Sequence, residues 1–248
     1  MSHNQTLEGP AVRLFTHPNG PVPAPKWNLG LDLGERQDHS ALAINDLEWQ
    51  FLGRCYTTFA YKFVPILTVR SMERFPLSTG YQNIPLIIAE RVRQINERQR
   101  QRTPHVPAKI ELVVDAGGPG APMVDILRAI APNNLTVTPV MITTGTGESR
   151  LKGGFHGVPR RNLVTGLIQM IATGCLQCPA AMPNAAKWHN ELLSLARTNT
   201  HPAESGEHDD LTLAAALAAW TATREAPELN PASAKKKTIY GFVDKPIF

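Results

Sequence analysis

The stretch that decides the fold is Ile110-Glu111-Leu112-Val113-Val114-Asp115-Ala116-Gly117-Gly118, an almost continuous apolar run that ends in an aspartate and two glycines. Such runs are typical of strands that are buried on both faces of a sheet. A carboxylate at the end of a buried strand is costly to desolvate unless it binds a cation or a hydrogen-bond donor. The stretch therefore predicts a strand over residues 110–115 and makes Asp115 a candidate for function.

The segments around this strand carry patterns that are typical of an α/β fold. Apolar and β-branched runs predict further strands, and apolar residues repeated every three or four positions predict helices. The predicted strands span residues 27–32, 40–45, 48–59, 110–115 and 135–142, and the predicted helices span residues 84–100, 121–131, 160–173, 184–196 and 209–224. We therefore expect a mixed five-stranded sheet flanked by helices.

The chain has the composition of a folded domain. Of its 248 residues, 42% are hydrophobic and 19% are charged, which excludes a wholly disordered chain and a coiled coil. Prolines in residues 1–25 predict an N-terminal arm, residues 26–224 form one domain, and residues 225–248 form a basic C-terminal tail. The net charge of +4 permits a nucleic-acid partner.

The sequence gives no sign of a membrane or secretory protein. No apolar run approaches the ~20 residues that a membrane-spanning helix needs, and no signal peptide is visible at the N-terminus. The odd number of cysteines, three, favours a reducing cytoplasm over a disulfide framework. We therefore expect a cytoplasmic protein without a membrane partner.

Three acidic positions lie where apolar segments meet solvent. Asp32 ends the first predicted strand, Asp115 ends the fourth, and the pair Asp209 and Asp210 opens a helix that is almost wholly apolar. Three carboxylates that meet repel one another, and this arrangement makes a site for hard divalent cations, which prefer oxygen ligands. Two such cations ~4 Å apart activate a water and stabilise the leaving oxygen of a phosphodiester.

Each of these acids also has a structural interpretation. Asp32 suits a turn, Asp115 suits a cap for the helix that follows it, and Asp209 or Asp210 suits the N-cap of an apolar helix. Their combination, on strands and a helix in this order, favours a shared site over three separate structural roles.

Four motifs resemble the nuclease domain of the tailed-phage terminase large subunit, which has a ribonuclease H-like fold. They are Gly30-Leu31-Asp32-Leu33-Gly34 with residues 38–43, then residues 114–122, residues 158–164 and residues 206–211. The resemblance covers roughly residues 27–224. The second and last motifs together are fairly specific, whereas the first alone is weak.

The resemblance implies a ribonuclease H-like endonuclease that cuts concatemeric phage DNA during packaging in a bacterial host cell. It also implies two divalent cations, Mg²⁺ or Mn²⁺, held by Asp32, Asp115 and Asp210. Similar resolvases place two acids on this helix with the spacing of Glu207 and Asp210. Asp209 points ~100° away from Asp210 on the helix, so the two cannot be equal ligands, and Asp209 is the alternative catalytic carboxylate.

The sequence departs from the terminase large subunit in one respect. Those proteins carry an ATPase motor ahead of the nuclease, but the phosphate-loop pattern G-x-x-x-x-G-K-[ST] is missing from this sequence. We therefore expect the chain to be at most the nuclease half. Its expected partners are double-stranded DNA and a separate ATPase motor or portal.

Basic residues before the last motif predict the path of the DNA. Arg150, Lys152, Arg160 and Arg161 lie in or beside a glycine-rich stretch, residues 143–158, that predicts a loop or hairpin. Such a loop can follow a phosphate backbone, although a purely solvated loop fits the same composition. The arginines of the helix predicted over residues 84–100 are expected to form a solvated helix face.

Two other functions fit parts of the sequence. Actin-like and sugar-kinase-like ATP-binding proteins also have an Asp-x-Gly turn after the first strand, as in Asp32-Leu33-Gly34. Such proteins usually need two ribonuclease H-like halves, and this chain has room for about one. A non-catalytic DNA-binding packaging accessory is the other alternative, against which the intact Asp32, Asp115 and Asp210 argue.

Overall fold

The computed structural model describes residues 7–9, 12–14, 26–34, 38–54, 56–57, 61–118, 120–197, 209–222 and 224. The strands are β1 (Leu7–Gly9), β2 (Val12–Leu14), β3 (Lys26–Asp32), β4 (Ala41–Arg54), β5 (Tyr61–Arg74), β6 (Ile110–Asp115), β7 (Leu135–Thr143), β8 (Ser149–Arg150), β9 (His156–Pro159) and β10 (Leu176–Gln177). The helices are α1 (Ile84–Arg102), α2 (Gly120–Ile130), α3 (Arg160–Ala172), α4 (Ala185–Arg197) and α5 (Asp210–Trp220).

Most of the strands form one mixed sheet, in the order β10-β5-β4-β3-β6-β7-β9-β8. β3 is antiparallel to β4 and parallel to β6. β7 is parallel to β6, and β9 is parallel to β7. The carboxyl ends of these four parallel strands therefore meet at one edge of the sheet, where open α/β sheets usually carry their sites.

The predicted mixed sheet flanked by helices is confirmed. Each predicted helix is present, although α5 ends at Trp220 and not at residue 224. The short strands β8, β9 and β10 extend the sheet beyond the five strands that were expected. β1 and β2 pair with each other within the predicted N-terminal arm, and the predicted tail, residues 225–248, lies outside the described residues.

None of the described helices has the length and hydrophobicity that a membrane crossing requires.

β4 differs from the prediction, which divided it into two strands over residues 40–45 and 48–59. It is one long strand with Asp46 inside it, and its neighbour β5 is not predicted. A charged residue usually interrupts a buried strand. Here the Asp46 carboxylate pairs with Arg70 at 3.0 Å and with Arg102 at 2.6 Å. These two arginines neutralise the buried charge, so the strand continues through it.

Two hydrophobic cores lie on the two faces of the sheet. α1 and α2 cover one face, where Leu29 and Leu31 of β3 are fully buried, and α5 covers the other face. All residues of α5 are buried, which explains why its sequence is apolar on every side and not amphipathic. α3 and α4 pack against α5 and complete this side of the domain.

α5 approaches β3 closely at Gly30. A methyl group at this position would lie 2.0 Å from the backbone oxygen of Ala214 and 2.5 Å from the backbone nitrogen of Ala218. Both atoms belong to the helix backbone, so side-chain rotation cannot relieve the clash. The glycine therefore sets the distance between α5 and the sheet, and with it the position of the helix N-terminus over the end of β3.

Gly30→Ala should destabilise the protein by about 1–3 kcal/mol or more, because the added methyl group overpacks the contact between β3 and α5. In a domain of this size 1 kcal/mol changes the Tm by roughly 2–4 °C, so thermal unfolding followed by circular dichroism measures the effect. Gly147→Ala is the matched control, since a methyl group there meets no atom within 4 Å. A Gly30→Ala protein with the wild-type Tm would contradict the close contact.

Candidate active site

The carboxyl ends of β3 and β6 place two of the predicted acids side by side. Leu31 of β3 aligns with Val114 of β6 in a parallel register, so the residues that follow them, Asp32 and Asp115, are neighbours. β7 continues the same edge, because Asp115 aligns with Val140. The fold therefore brings together two residues that lie far apart in the sequence.

Asp32 is buried, with 7% of its surface exposed. Burial raises its pKa well above the usual value of 3.8, and the negative charges of Asp115 and Asp210 raise it further. The positive charge of Arg160 opposes these effects. Charges act on one another in this way only at short range, so Asp32, Asp115 and Asp210 form one electrostatic cluster, which we call the carboxylate cluster.

A tight turn holds Asp115. The backbone N–H of Gly117 donates a hydrogen bond of 2.9 Å to Asp115 Oδ1. Burial raises the pKa of Asp115, whereas hydrogen bonds from the N–H groups of Gly117 and Ile142 and the charge of Arg160 lower it. Gly118 has a φ of 47°, in the left-handed region that favours glycine. The two glycines after Asp115 therefore shape the turn that orients its carboxylate.

Asp210 reaches the carboxylate cluster as the first residue of α5, and it is buried. Arg74, the last residue of β5, has its Nε 3.4 Å from Asp210 Oδ2 and also pairs with Glu191 of α4. Glu191 accepts hydrogen bonds from the backbone N–H of Thr212 at 2.9 Å and from its hydroxyl at 3.0 Å. Glu191 thus caps the N-terminus of α5 from a neighbouring helix, and together with Arg74 it fixes Asp210.

Sequence reasoning missed Arg74 and Glu191. Glu191 is buried, and burial raises its pKa while the Thr212 N–H and the charge of Arg74 lower it. In the sequence it resembles any surface glutamate of an amphipathic helix, and Arg74 ends a strand that was not predicted. The one available signal is the pair of aspartates that opens α5, because buried negative charge requires a basic partner.

Asp209 and Asp210 differ in their partners. Asp209 occupies the N-cap position of α5 and makes no capping hydrogen bond with its side chain. Its carboxylate pairs with Arg160, the first residue of α3. Burial lowers the pKa of Arg160, and the charges of Asp32 and Asp115 raise it. Arg160, which was predicted to contact DNA, therefore lies within reach of the carboxylate cluster.

The other three predicted DNA-binding residues lie on or beside the hairpin of β8 and β9. Arg150, Lys152 and Arg161 are exposed. The Arg161 guanidinium donates a hydrogen bond of 3.1 Å to the backbone oxygen of Thr146, in the loop after β7. β9 runs toward the carboxylate edge and Arg150 aligns with its first residue, His156. Arg161 therefore lies beside that edge, and Arg150 and Lys152 lie farther along the hairpin.

Solved structures similar to this chain include terminase nuclease domains. One is the human cytomegalovirus terminase nuclease domain, manganese-soaked and inhibitor-bound, with 11% identity, a TM-score of 0.47, and coverage of 84% of this chain and 86% of that chain. Another is the large terminase nuclease of the thermophilic phage G20c, with 16% identity, a TM-score of 0.43, and coverage of 86% of this chain and 89% of that chain. No protein-family model and no curated protein matches the chain.

The donor atoms of the carboxylate cluster fit hard divalent cations in type and charge. Asp32, Asp115 and Asp210 supply only carboxylate oxygens, the ligands that Mg²⁺ and Mn²⁺ prefer. Burial raises the pKa of Asp32, and the negative charges of Asp115 and Asp210 raise it further; a bound cation would balance these charges. As they stand, no three His, Cys, Asp or Glu side chains in the described part of the chain are grouped closely enough to hold one ion. Glu207, the further acid of the last motif, lies outside the described residues.

Asp32→Asn should stabilise the protein at neutral pH in a buffer without divalent cations. Folding raises the pKa of Asp32, so the folded state binds its proton more tightly than the unfolded state does. The free energy of unfolding therefore decreases as the pH rises from the pKa of Asp32 in the unfolded state through its pKa in the folded state. Neutral Asn avoids that loss. A gain of about 1 kcal/mol would raise the Tm by roughly 2–4 °C.

Thermal unfolding at neutral pH and below the unfolded-state pKa of Asp32 measures this difference. The advantage of Asp32→Asn should shrink toward the lower pH, because the wild-type carboxyl is then protonated in both states. Asp125→Asn is the control, because Asp125 lies on the exposed side of α2. A Tm difference for Asp32→Asn that is equal at the two pH values would show that its charge is not the cause.

Proposed function

We propose that this protein is a metal-dependent endodeoxyribonuclease that hydrolyses phosphodiester bonds of double-stranded DNA, as a terminase nuclease does when it cuts concatemeric phage DNA during packaging. The observation that carries the proposal is the convergence of Asp32, Asp115 and Asp210 from two strands and a helix at one edge of the sheet. Burial and the charges of Asp115 and Asp210 raise the pKa of Asp32. A charged group in such surroundings opposes folding, so its presence favours a functional role.

Asp32, Asp115 and Asp210 are the residues that would hold two divalent cations, Mg²⁺ or Mn²⁺. Bound cations of this kind supply positive charge that activates water and stabilises the leaving oxygen of a phosphodiester. The chain itself contributes the arrangement of the oxygen atoms. The Gly117 N–H orients the Asp115 carboxylate, and Arg74 holds the Asp210 carboxylate in place.

Asp210 is the third ligand in this proposal, and Asp209 has a different role. The charge of Asp210 acts on Asp32, whereas Asp209 pairs with Arg160. The guanidinium of Arg160 would contact a phosphate that enters the carboxylate cluster, because planar guanidinium groups bind phosphate through two parallel hydrogen bonds. Asp209 would hold Arg160 in position before DNA arrives.

Positive charge extends from the carboxylate edge along the hairpin of β8 and β9. Arg161 lies beside the edge, and Arg150 and Lys152 follow it on the exposed hairpin. Contacts of this kind with phosphates position a duplex without reading its sequence, so we propose cleavage with little sequence preference. A separate ATPase motor or portal in the cytoplasm of a bacterial host cell would deliver the DNA.

The purified protein should nick or cut plasmid DNA in the presence of Mn²⁺. Asp32→Asn, Asp115→Asn and Asp210→Asn should each reduce the cleavage rate on the order of a hundredfold or more, because each removes a charge on which transition-state stabilisation depends. Asp209→Asn should reduce it less if Asp210 is the ligand. Agarose-gel assays at high enzyme concentration measure the rates, and Asp125→Asn serves as the control with an unchanged rate.

Metal binding provides a readout besides cleavage. Mn²⁺ that binds only the folded state should raise the wild-type Tm, and this rise should be lost in Asp115→Asn and kept in Asp125→Asn. Cleavage that survives in Asp115→Asn would contradict the proposed site. A wild-type protein that binds DNA and shows neither cleavage nor a metal-dependent Tm would be a non-catalytic packaging accessory.

Changing Arg150, Lys152 and Arg161 together to Ala should weaken binding of duplex DNA at low salt and leave the Tm unchanged, because these side chains are exposed. The negative slope of log affinity against log salt should become shallower by about 2–3, since each phosphate contact contributes roughly −0.9 to it. Fluorescence anisotropy without divalent cations measures both quantities. Changing the exposed residues Arg100, Lys109 and Lys187 to Ala removes the same charge elsewhere, so equal losses in the two triple variants would argue against a DNA path along the hairpin.

A further inference from the structure

A cavity of about 930 Å³ lies between α1 and the strands β4 and β5. It is on the face of the sheet that α1 covers, opposite α5, and it lies near the start of β3, whereas the carboxylate cluster lies at the end of that strand. Arginines dominate its lining, and we call it the arginine groove after them: Arg70, Arg91, Arg93, Arg98 and Arg102. The arginine groove and the carboxylate cluster therefore differ in the face of the sheet and in the end of β3 at which they lie.

A buried carboxylate fixes two of these arginines. Arg70 and Arg102 both contact Asp46 Oδ2, at 3.0 Å and 2.6 Å, and Arg102 also contacts Glu48 at 3.2 Å. The side chain of Asp46 is 1% exposed, so its contacts with the arginines are shielded from solvent. The two guanidinium groups are therefore held in place at the wall of the groove.

Arg98 adds a third positive charge next to this pair. Among the residues that the structure describes, it makes no hydrogen bond and no ion pair. Burial and the like charges of Arg70 and Arg102 lower its pKa. The sequence predicted only a solvated helix face for the arginines of α1. Arg98 is exposed, as that prediction expects, and it also lines a cavity together with two other cations. An anion between the three would relieve their repulsion.

The remaining arginines of the groove are matched by carboxylates. Arg91 pairs with Glu73 at 2.7 Å, and Arg93 pairs with Glu90 at 2.7 Å. The unmatched positive charge is therefore located at Arg98, in the part of the groove next to Arg70 and Arg102.

The chemistry of the groove favours phosphate over other anions. Its cations are all arginines, whose planar forks bind phosphate through two hydrogen bonds at once. A volume of about 930 Å³ exceeds what one small ion needs. Trp27 at its base is only 2% exposed, so the groove offers no aromatic surface on which a base could stack. The two isoleucines of its lining, Ile44 and Ile95, are buried.

We propose that the arginine groove binds successive phosphate groups of a polyanion, through Arg98 together with Arg70 and Arg102, at a site remote from the carboxylate cluster. The backbone of a DNA duplex and a free polyphosphate compound present the same chemistry to these three guanidinium groups.

Isothermal titration calorimetry of the full chain with tripolyphosphate, at low salt and without divalent cations, tests the proposal. Arg98→Gln should weaken binding about tenfold, because it removes a charge-assisted hydrogen bond. It should not lower the Tm, since it also removes repulsion. Arg100→Gln is the matched control, because Arg100 lies on the same helix, is exposed, pairs with Glu97 at 2.6 Å and does not line the groove.

The proposal would be overturned by wild-type protein that does not bind millimolar tripolyphosphate, or by Arg98→Gln protein that binds it as tightly as wild type. Displacement of tripolyphosphate by a hexaglutamate peptide at equal concentration would also overturn it, in favour of an acidic peptide. Asp32→Asn should bind tripolyphosphate normally, so failure of the groove and failure of the proposed nuclease site are distinguishable.

Anisotropy of a labelled DNA duplex separates the two sources of phosphate. If Arg98→Gln weakens duplex binding while Arg100→Gln does not, the groove binds the DNA backbone. If Arg98→Gln weakens only the binding of tripolyphosphate, the groove takes a free polyphosphate compound. Either result supports a phosphate site.

Discussion

The close approach of α5 to β3 is the contact on which the rest of the structure depends. It is possible only because Gly30 has no side chain and because alanines face it from the helix. The helix backbone therefore rests almost directly on the central strand, and its N-terminus lies over the end of that strand. This position brings Asp210 into the electrostatic range of Asp32. A packing constraint in the core thus sets the geometry of the carboxylate cluster.

The carboxylate cluster illustrates how a fold tolerates buried charge of one sign. Asp32 keeps a raised pKa, and the charges of Asp115 and Asp210 contribute to it. Arg160 and Arg74 approach from α3 and β5 and offset part of the repulsion. Removing either partner of a buried ion pair is usually more costly than the pair is stabilising. The arginines therefore belong to the structure of the site as much as the aspartates do.

The acids of the site are visible in the sequence, and their partners are not. Asp32 and Asp115 end apolar strands, and that position by itself signals an unusual cost of desolvation. The pairing of Arg74 with Glu191 joins β5 to α4, and no local pattern encodes such a contact. β5 also escapes prediction because Pro65 lies within it, and proline is unfavourable inside strands. Periodicity thus predicts elements and their ends, whereas contacts between distant elements require the fold itself.

The burial of α5 also has a consequence for biosynthesis. α5 covers β3, which is the first strand of the main sheet in chain order, and the helix is translated long after that strand. Contacts between such distant segments form slowly. Ala43 of β4 and Val113 of β6, on the same face of the sheet, therefore stay uncovered during synthesis. The nascent chain therefore exposes an apolar surface to chaperones until α5 emerges. Because that same helix carries Asp210, a chain that stops before α5 lacks both the cover of this core and the third acid of the carboxylate cluster.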